Sequence, residues 1–342
     1  MKISIIAGSI LILILGFIVY NVIPFTRQAD RIGYCSPCWG KENKIYFIKS
    51  VTFAREIINP MSLLSIGFFG GGNYLPQKTE VYLCSMNYDG SNKQEIVKLG
   101  DTDDDTYWLP MCLDYCEVND LLLLGGGTHP ASGETYEGIY TIKTDGSNKK
   151  KISDVGIDGS WSPDGKQIAY GLGDIIWIIN ADGSNKHPIS KKVSVPTKFV
   201  DDEHGDLISV HGGRYKAVEW EEKFYDGSPL WSPKGDLIAF VCHGWIWVMK
   251  PDGRERRMVI KGGGIDSWFP DGKSFLSHGV KIDLDGNVIA EFGKYGYLSS
   301  DGKRMVGMGF KSIDVATGDE IDLFGEIKHP KYFVYKRPNN IW

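Results

Sequence analysis

The sequence holds little of the machinery that usually marks an enzyme. No Gly-x-Ser-x-Gly elbow, phosphate-binding glycine loop, dinucleotide fingerprint or nucleophile triad can be read in its 342 residues, which leaves the common routes to acyl, phosphoryl and hydride transfer without visible parts. Positive charge is also short, with 38 Lys and Arg against 43 Asp and Glu and a net charge of −5. Neutralising a phosphate backbone requires a basic face, so nucleic acid is not an expected partner. Beyond the first 25 or so residues, no apolar run has helical period. Cysteine and histidine are sparse, at six and seven residues.

Glycine is abundant, at 42 residues, and it recurs in a pattern. The stretch "GSWSPDGKQIAYGLGDIIWIINADGSN", residues 159–185, reads as strand, tight turn at Pro163-Asp164-Gly165, strand, short turn, strand and tight turn at Asp182-Gly183. Aromatic and β-branched residues favour the strands, and glycine supplies the positive φ of hairpin turns. The order returns in "LWSPKGDLIAFVCHGWIWVMKPDGRE" from Leu230, and more weakly from Ser267 and Leu298. First-turn markers fall at Glu42, Val118, Gly165, Gly205, Gly235, Gly272 and Gly302. An Asp-Gly series falls at Asp89, Asp145, Asp182, Asp226, Asp252 and Asp285, and Thr317-Gly318 is its altered last member.

Most successive first-turn markers lie 30 to 47 residues apart, the period of a radial array of four-stranded blades. The expected fold is therefore an all-β propeller of six or seven four-stranded blades over residues 27–342, behind a transmembrane segment in residues 1–26. Both series count seven. Against that count, Gly227 stands only four residues before Trp231, too close for an outermost strand, and six blades with an insertion at residues 199–225 is the alternative.

The motif "WSPDGKQIAY...IWIINADGSN" resembles the repeat of TolB-type, WD-like propellers. The likeness spans most of the chain from Arg31 onward; it is strong in the units at Trp161 and Trp231, fair at Trp268 and Leu298, and poor in the first, second and fourth units. TolB-type proteins couple the propeller to an N-terminal α/β domain, and prolyl-peptidase relatives add a hydrolase domain. Nothing in this sequence corresponds to either, so Pal binding is not carried over. The resemblance implies an interaction scaffold, frequently outside the cytoplasm, while related repeats in oligogalacturonate lyases keep an enzyme acting on polysaccharide as the alternative.

Between Lys2 and Arg27 there is no charge, and the run "ISIIAGSILILILGFIVYNVI" is long enough for a hydrocarbon core of ~30 Å. No small-x-small cleavage site follows it. A single-span anchor through residues 3–24 is expected, with the propeller in the periplasm or outside the cell. Charge flanking the run is nearly balanced. The even set Cys35, Cys38, Cys84, Cys112, Cys116 and Cys242 fits disulfides in an oxidising compartment, and a Cys38–Cys116 bridge between adjacent units suits the repeat alignment.

Candidate binding residues gather at one end of such a propeller. His211, His243 and His278 each precede a glycine after the second strand of a unit, and His129 lies in the corresponding longer loop. Imidazoles there could share acid-base or metal work, although a His-Gly pair also suits a plain two-residue hairpin. The insert around "PMSLLSIGFFGGGNYLP" carries Leu63, Leu64, Ile66, Phe68 and Phe69, too apolar for an idle loop. With Trp108 and the four histidines it forms the expected site for a protein or a cell-envelope polymer. The acidic run at residues 101–106 lacks the spacing of a calcium loop, and no metal or other cofactor is expected.

Overall fold

The repeated motif folds as it reads. The computed structural model describes residues 31–53, 78–101, 109–128, 138–191, 193–201, 208–210, 213–223, 226–307 and 309–324. The first blade is β1 (Arg31–Trp39), β2 (Lys44–Phe53), β3 (Lys78–Asn87) and β4 (Gln94–Asp101). The second is β5 (Leu109–Cys116), β6 (Leu121–Thr128), β7 (Ile139–Lys143) and β8 (Lys150–Ser153). The third is β9 (Ile157–Trp161), β10 (Gln167–Gly171), β11 (Ile176–Asn180) and β12 (His187–Pro188).

A three-stranded sheet interrupts the series: β13 (Val193–Asp201), β14 (Ile208–Val210) and β15 (Gly213–Lys223), in the order β13-β15-β14. The fourth blade follows as β16 (Asp226–Trp231), β17 (Ile238–Cys242), β18 (Trp245–Met249) and β19 (Arg257–Ile260). The fifth is β20 (Ser267–Trp268), β21 (Ser274–Ser277), β22 (Val280–Asp283) and β23 (Val288–Glu291). The sixth is β24 (Tyr297–Leu298), β25 (Arg304–Val306), β26 (Lys311–Asp314) and β27 (Glu320–Asp322). Every blade is an antiparallel meander in chain order, and the fold is a six-bladed β-propeller.

Two markers account for the count of seven. Gly205 belongs to the inserted sheet's segment, outside the described residues, and Asp226-Gly227 is no turn, because Asp226 opens β16. Its carboxylate is fully buried against the Arg256 guanidinium, with Nη2 donating to Oδ1 at 2.8 Å and Nη1 donating to Oδ2. Arg256 lies 4.8 Å from the Phe240 ring centroid and 5.0 Å from that of Trp247, which covers the pair with aromatic surface.

Among the described residues the core consists of six apolar clusters, one at each seam between neighbouring blades. A strand sandwiched between two other blades is apolar on both faces. In "LLLL" of β6, Leu122 and Leu124 pack toward the first blade and Leu123 toward the third. The turns complete the seams. Gly165, at φ +69, stands where a Cβ would come within 2.5 Å of Asn119 Nδ2, and that amide donates to Gly165 O at 2.7 Å. Only glycine fits both the left-handed backbone and the close approach.

Polar latches cross the same seams. The Asp114 carboxylate accepts the Trp161 N–H at 2.7 Å, Ser160 Oγ accepts the Trp231 N–H at 3.0 Å, and Ser267 Oγ accepts the Leu298 N–H at 3.0 Å. At the two remaining latched seams an indole donates instead, from Trp268 to Leu230 O at 3.1 Å and from Trp39 to Tyr297 O at 2.7 Å. The last of these joins the sixth blade to the first. Among the described residues no strand is exchanged there, and Tyr34, Phe47, Phe310 and Phe324 close the ring by stacked and edge contacts.

Among the described residues no helix is long and apolar enough to cross a membrane. The expected anchor in residues 3–24 lies outside them, as do Leu63, Leu64, Ile66, Phe68, Phe69, Trp108, His129 and His211. The backbone of Cys112 belongs to β5, and its side chain is outside the description.

Candidate binding site

The innermost strand of each blade faces the propeller axis, and together they line a channel of about 500 Å³. Every blade contributes, from Ser36 and Cys38 in the first to Leu298 and Asp301 in the sixth. A volume of this size lies within the range of ligand pockets.

Three of these strands bulge at the channel wall. In β1 the pairing jumps from Cys35 opposite Ile48 to Cys38 opposite Tyr46, and Ser36 adopts φ +52. In β16 it jumps in the same way, from Gly227 opposite Val241 to Leu230 opposite Ala239, with Ser228 at φ +49. In β9 the bulged residue is Asp158, at φ +43. A non-glycine residue in this region costs on the order of 1–3 kcal/mol and persists where its surroundings over-determine it. Ser228 Oγ donates to Asp158 Oδ2 at 2.8 Å, which ties two of the bulges together across a seam.

The wall is acidic. Among the described residues its ionisable carboxylates are Glu42, Asp114, Glu117, Asp158, Asp266 and Asp301, against the single basic side chain of Lys41. Burial pushes the Asp114 carboxyl up to about 6, opposed by the Trp161 and Tyr115 N–H donors. Burial likewise raises Asp266 to about 6, opposed by the His278 charge and by the His278 and Gly279 N–H groups. Both remain mostly ionised at neutral pH. A low-dielectric cleft lined by one sign of charge concentrates counter-charged ligands.

The sequence reading missed this set. The signal for the bulges was present, since Ser-Pro-x-Trp occurs in "CSPCW" and again in "GSPLW", and both serines take positive φ at the wall. Asp114 and Asp266 carry no local signature: the residue pattern of one blade does not show which side chains its neighbours surround.

His243 and His278 are hairpin residues. They sit at φ +53 and +48, followed by Gly244 at +73 and Gly279 at +81, the two left-handed positions of a two-residue turn. His243 lies edge-on to Trp245 at 5.9 Å, and His278 edge-on to Tyr295 at 5.3 Å. Burial lowers the His243 pKa. Among the described residues no three His, Cys, Asp or Glu side chains are grouped to hold a metal ion.

The five described cysteines stand as thiols, not disulfides. Cys38 packs in the seam of the first and second blades and Cys116 in that of the second and third. Burial raises the thiol pKa of Cys35 to about 11, and of Cys84 and Cys242 to about 12.

Fold and channel define a six-bladed propeller with an acidic axial cavity. No family model matches the chain. Tol-Pal system protein TolB from Wolbachia sp. subsp. Drosophila simulans (strain wRi) is 45% identical over 64 residues, 18% of this chain and 13% of that protein. TolB from Gluconobacter oxydans is 33% identical over 97 residues, 27% of this chain and 20% of that one. The chain therefore spans a fifth or less of the length of these curated relatives. A solved structure of a TolB candidate from Agrobacterium tumefaciens aligns over 85% of this chain and 80% of that one, at 16% identity and a TM-score of 0.42. Over these stretches the repeat of this chain is similar to that of the TolB proteins.

Proposed function

We propose that this protein is a membrane-anchored, extracytoplasmic binding module whose channel receives a basic segment of a protein partner. The observation that carries the reading is the wall of six carboxylates and one lysine around a cavity of about 500 Å³. That cavity accommodates a few side chains of an extended segment, and a surplus of carboxylates favours Lys or Arg over neutral or acidic residues. The likeness to proteins of the Tol-Pal system supports a protein partner and a place in the cell envelope. The uncharged run between Lys2 and Arg27 supports the anchor.

The apolar insert joins β2 to β3, as the His243-Gly244 turn joins β17 to β18. In this proposal Leu63, Leu64, Ile66, Phe68 and Phe69, with Trp108, His129, His211, His243 and His278, form a second contact for the partner, at the end of the propeller opposite the turns of Glu42, Glu117 and Asp301. The test is affinity capture from detergent-solubilised membranes with the anchor intact. Partner recovery should fall with added salt and be lost in a Glu42→Gln, Glu117→Gln, Asp301→Asn triple variant. Recovery that is insensitive to both changes would remove the channel from the site.

A further inference from the structure

The bulge in β1 does something to Cys35 and Cys38 that an ordinary strand would not. In a regular strand, residues three apart point to opposite faces and stand roughly 10 Å from one another. Here Cys35 pairs with Ile48 and Cys38 with Tyr46, so three steps of β1 run beside two steps of β2. The two cysteines thus share a face, and two steps of about 3.3 Å set their Cα atoms roughly 6.6 Å apart. This is within the span of about 4.4–6.8 Å that a disulfide bridges.

Packing gives the same answer independently. Cys38 is a member of the apolar cluster at the first seam, together with Tyr46 and Ile48, and Cys35 packs against that same cluster. The bulge does not depend on the cysteines, since the fourth blade makes it with Gly227 and Leu230 at the corresponding positions. Cys35 is the less buried of the two residues, which makes it the first that a reagent reaches.

From this geometry we infer that Cys35 and Cys38 are a reversible dithiol–disulfide site, closed across Ser36-Pro37 at the channel wall by exchange with a low-molecular-weight disulfide such as oxidised glutathione. The Cys35 thiolate forms a bond to one sulfur of the reagent, whose S–S bond breaks and releases the first small thiol. The Cys38 thiolate then attacks Cys35 Sγ, the mixed S–S bond breaks and the second small thiol leaves. Two protein thiols are oxidised, one reagent disulfide is reduced to two thiols, and the two protons lost by the protein end on them. Because burial raises the Cys35 thiol to about 11, only its small thiolate fraction reacts at neutral pH, and closure speeds up as pH rises.

The experiment uses the full chain in detergent, equilibrated over a series of oxidised-to-reduced glutathione ratios, then alkylated, denatured and cleaved after Arg and Lys. The segment from Ile32 to Lys41, "IGYCSPCWGK", contains both cysteines and no others. The expected result is that this peptide passes from doubly alkylated to unalkylated and lighter by two hydrogens as the ratio becomes oxidising. Cys38→Ser should instead stop at a glutathione adduct on Cys35. Double alkylation at every ratio, or a cross-link from Cys35 or Cys38 to another cysteine peptide, would overturn the inference.

Discussion

Between the second and third blades a carboxylate accepts a backbone N–H, from Trp161 to Asp114 at 2.7 Å; between the fourth and fifth an indole donates to a backbone carbonyl, from Trp268 to Leu230 at 3.1 Å. Asp114, Ser160, Leu230, Ser267 and Tyr297 occupy equivalent places in the innermost strands, one pairing step before Tyr115, Trp161, Trp231, Trp268 and Leu298. Where that place holds Asp or Ser, the side chain takes the next blade's N–H. Where it holds Leu or Tyr, the next blade's tryptophan reaches the carbonyl instead. The consequence is visible at the tryptophans: the indoles of Trp161 and Trp231, whose backbone N–H is already latched, are buried with no hydrogen-bond partner among the described residues. At the four of these seams that hold a tryptophan, one residue therefore decides both the latch and the state of the neighbouring indole.

The largest effect is expected at the seam of the third and fourth blades. There the Asp226 N–H also donates to Asp174 O at 3.0 Å, and Asp226→Ala would leave the Arg256 guanidinium buried without its carboxylate. A loss of roughly 3–5 kcal/mol is expected for breaking such a pair, read by urea or thermal unfolding. The tryptophans come next. Trp39→Phe and Trp268→Phe remove the indole donor from a part-buried carbonyl and should each cost about 1 kcal/mol beyond lost packing. Trp161→Phe and Trp231→Phe remove an unpartnered N–H and should cost less. Equal losses at all four positions would break the division into two kinds of seam.

A smaller effect, about 1 kcal/mol, is expected for Ser267→Ala, which deprives the Leu298 N–H of its acceptor. Substituting Asp114 with Ser should convert one seam into the other hydroxyl-latched kind and change a pH dependence. Asp114 titrates near 6 in the folded chain, against about 3.9 when unfolded. The folded state thus holds this proton more tightly, and its contribution to stability falls as pH rises between about 4 and 6, the loss being complete above that window. Asp114→Ser lacks that contribution, so its stability relative to the parent should rise across the window and level off beyond it. A constant difference from acid to neutral pH would contradict the assignment.

The turns and seams differ in how far they can be read from sequence, and the reason is range. Pro163-Asp164-Gly165 and Asp182-Gly183 are legible because their hydrogen bonds close within five residues, as in Ser162 Oγ to Asp164 and the Ser184 N–H to Asp182. The histidine turns are legible for the same reason. Asp226-Gly227 carries the same dipeptide, yet its fate is set by Arg256, thirty residues away in sequence, and a local pattern counts it as a turn. The acidic channel is less visible still. Asp114, Asp158 and Asp266 come from three different blades, and only closure of the ring brings their carboxylates to one cavity. The clusters that Cys38 and Cys116 enter are hidden for the same reason, since alignment of repeats gives position along a blade but not which seam a side chain enters.

The claim that the channel wall selects basic segments is tested most directly by fluorescence anisotropy of a short lysine-rich peptide titrated with the full chain, beside a glutamate-rich peptide of equal length. The account predicts saturable binding of the lysine-rich peptide alone, weakened as ionic strength rises and abolished in the Glu42→Gln, Glu117→Gln, Asp301→Asn variant. Equal binding of both peptides, or binding that survives neutralisation of those three carboxylates, would contradict it.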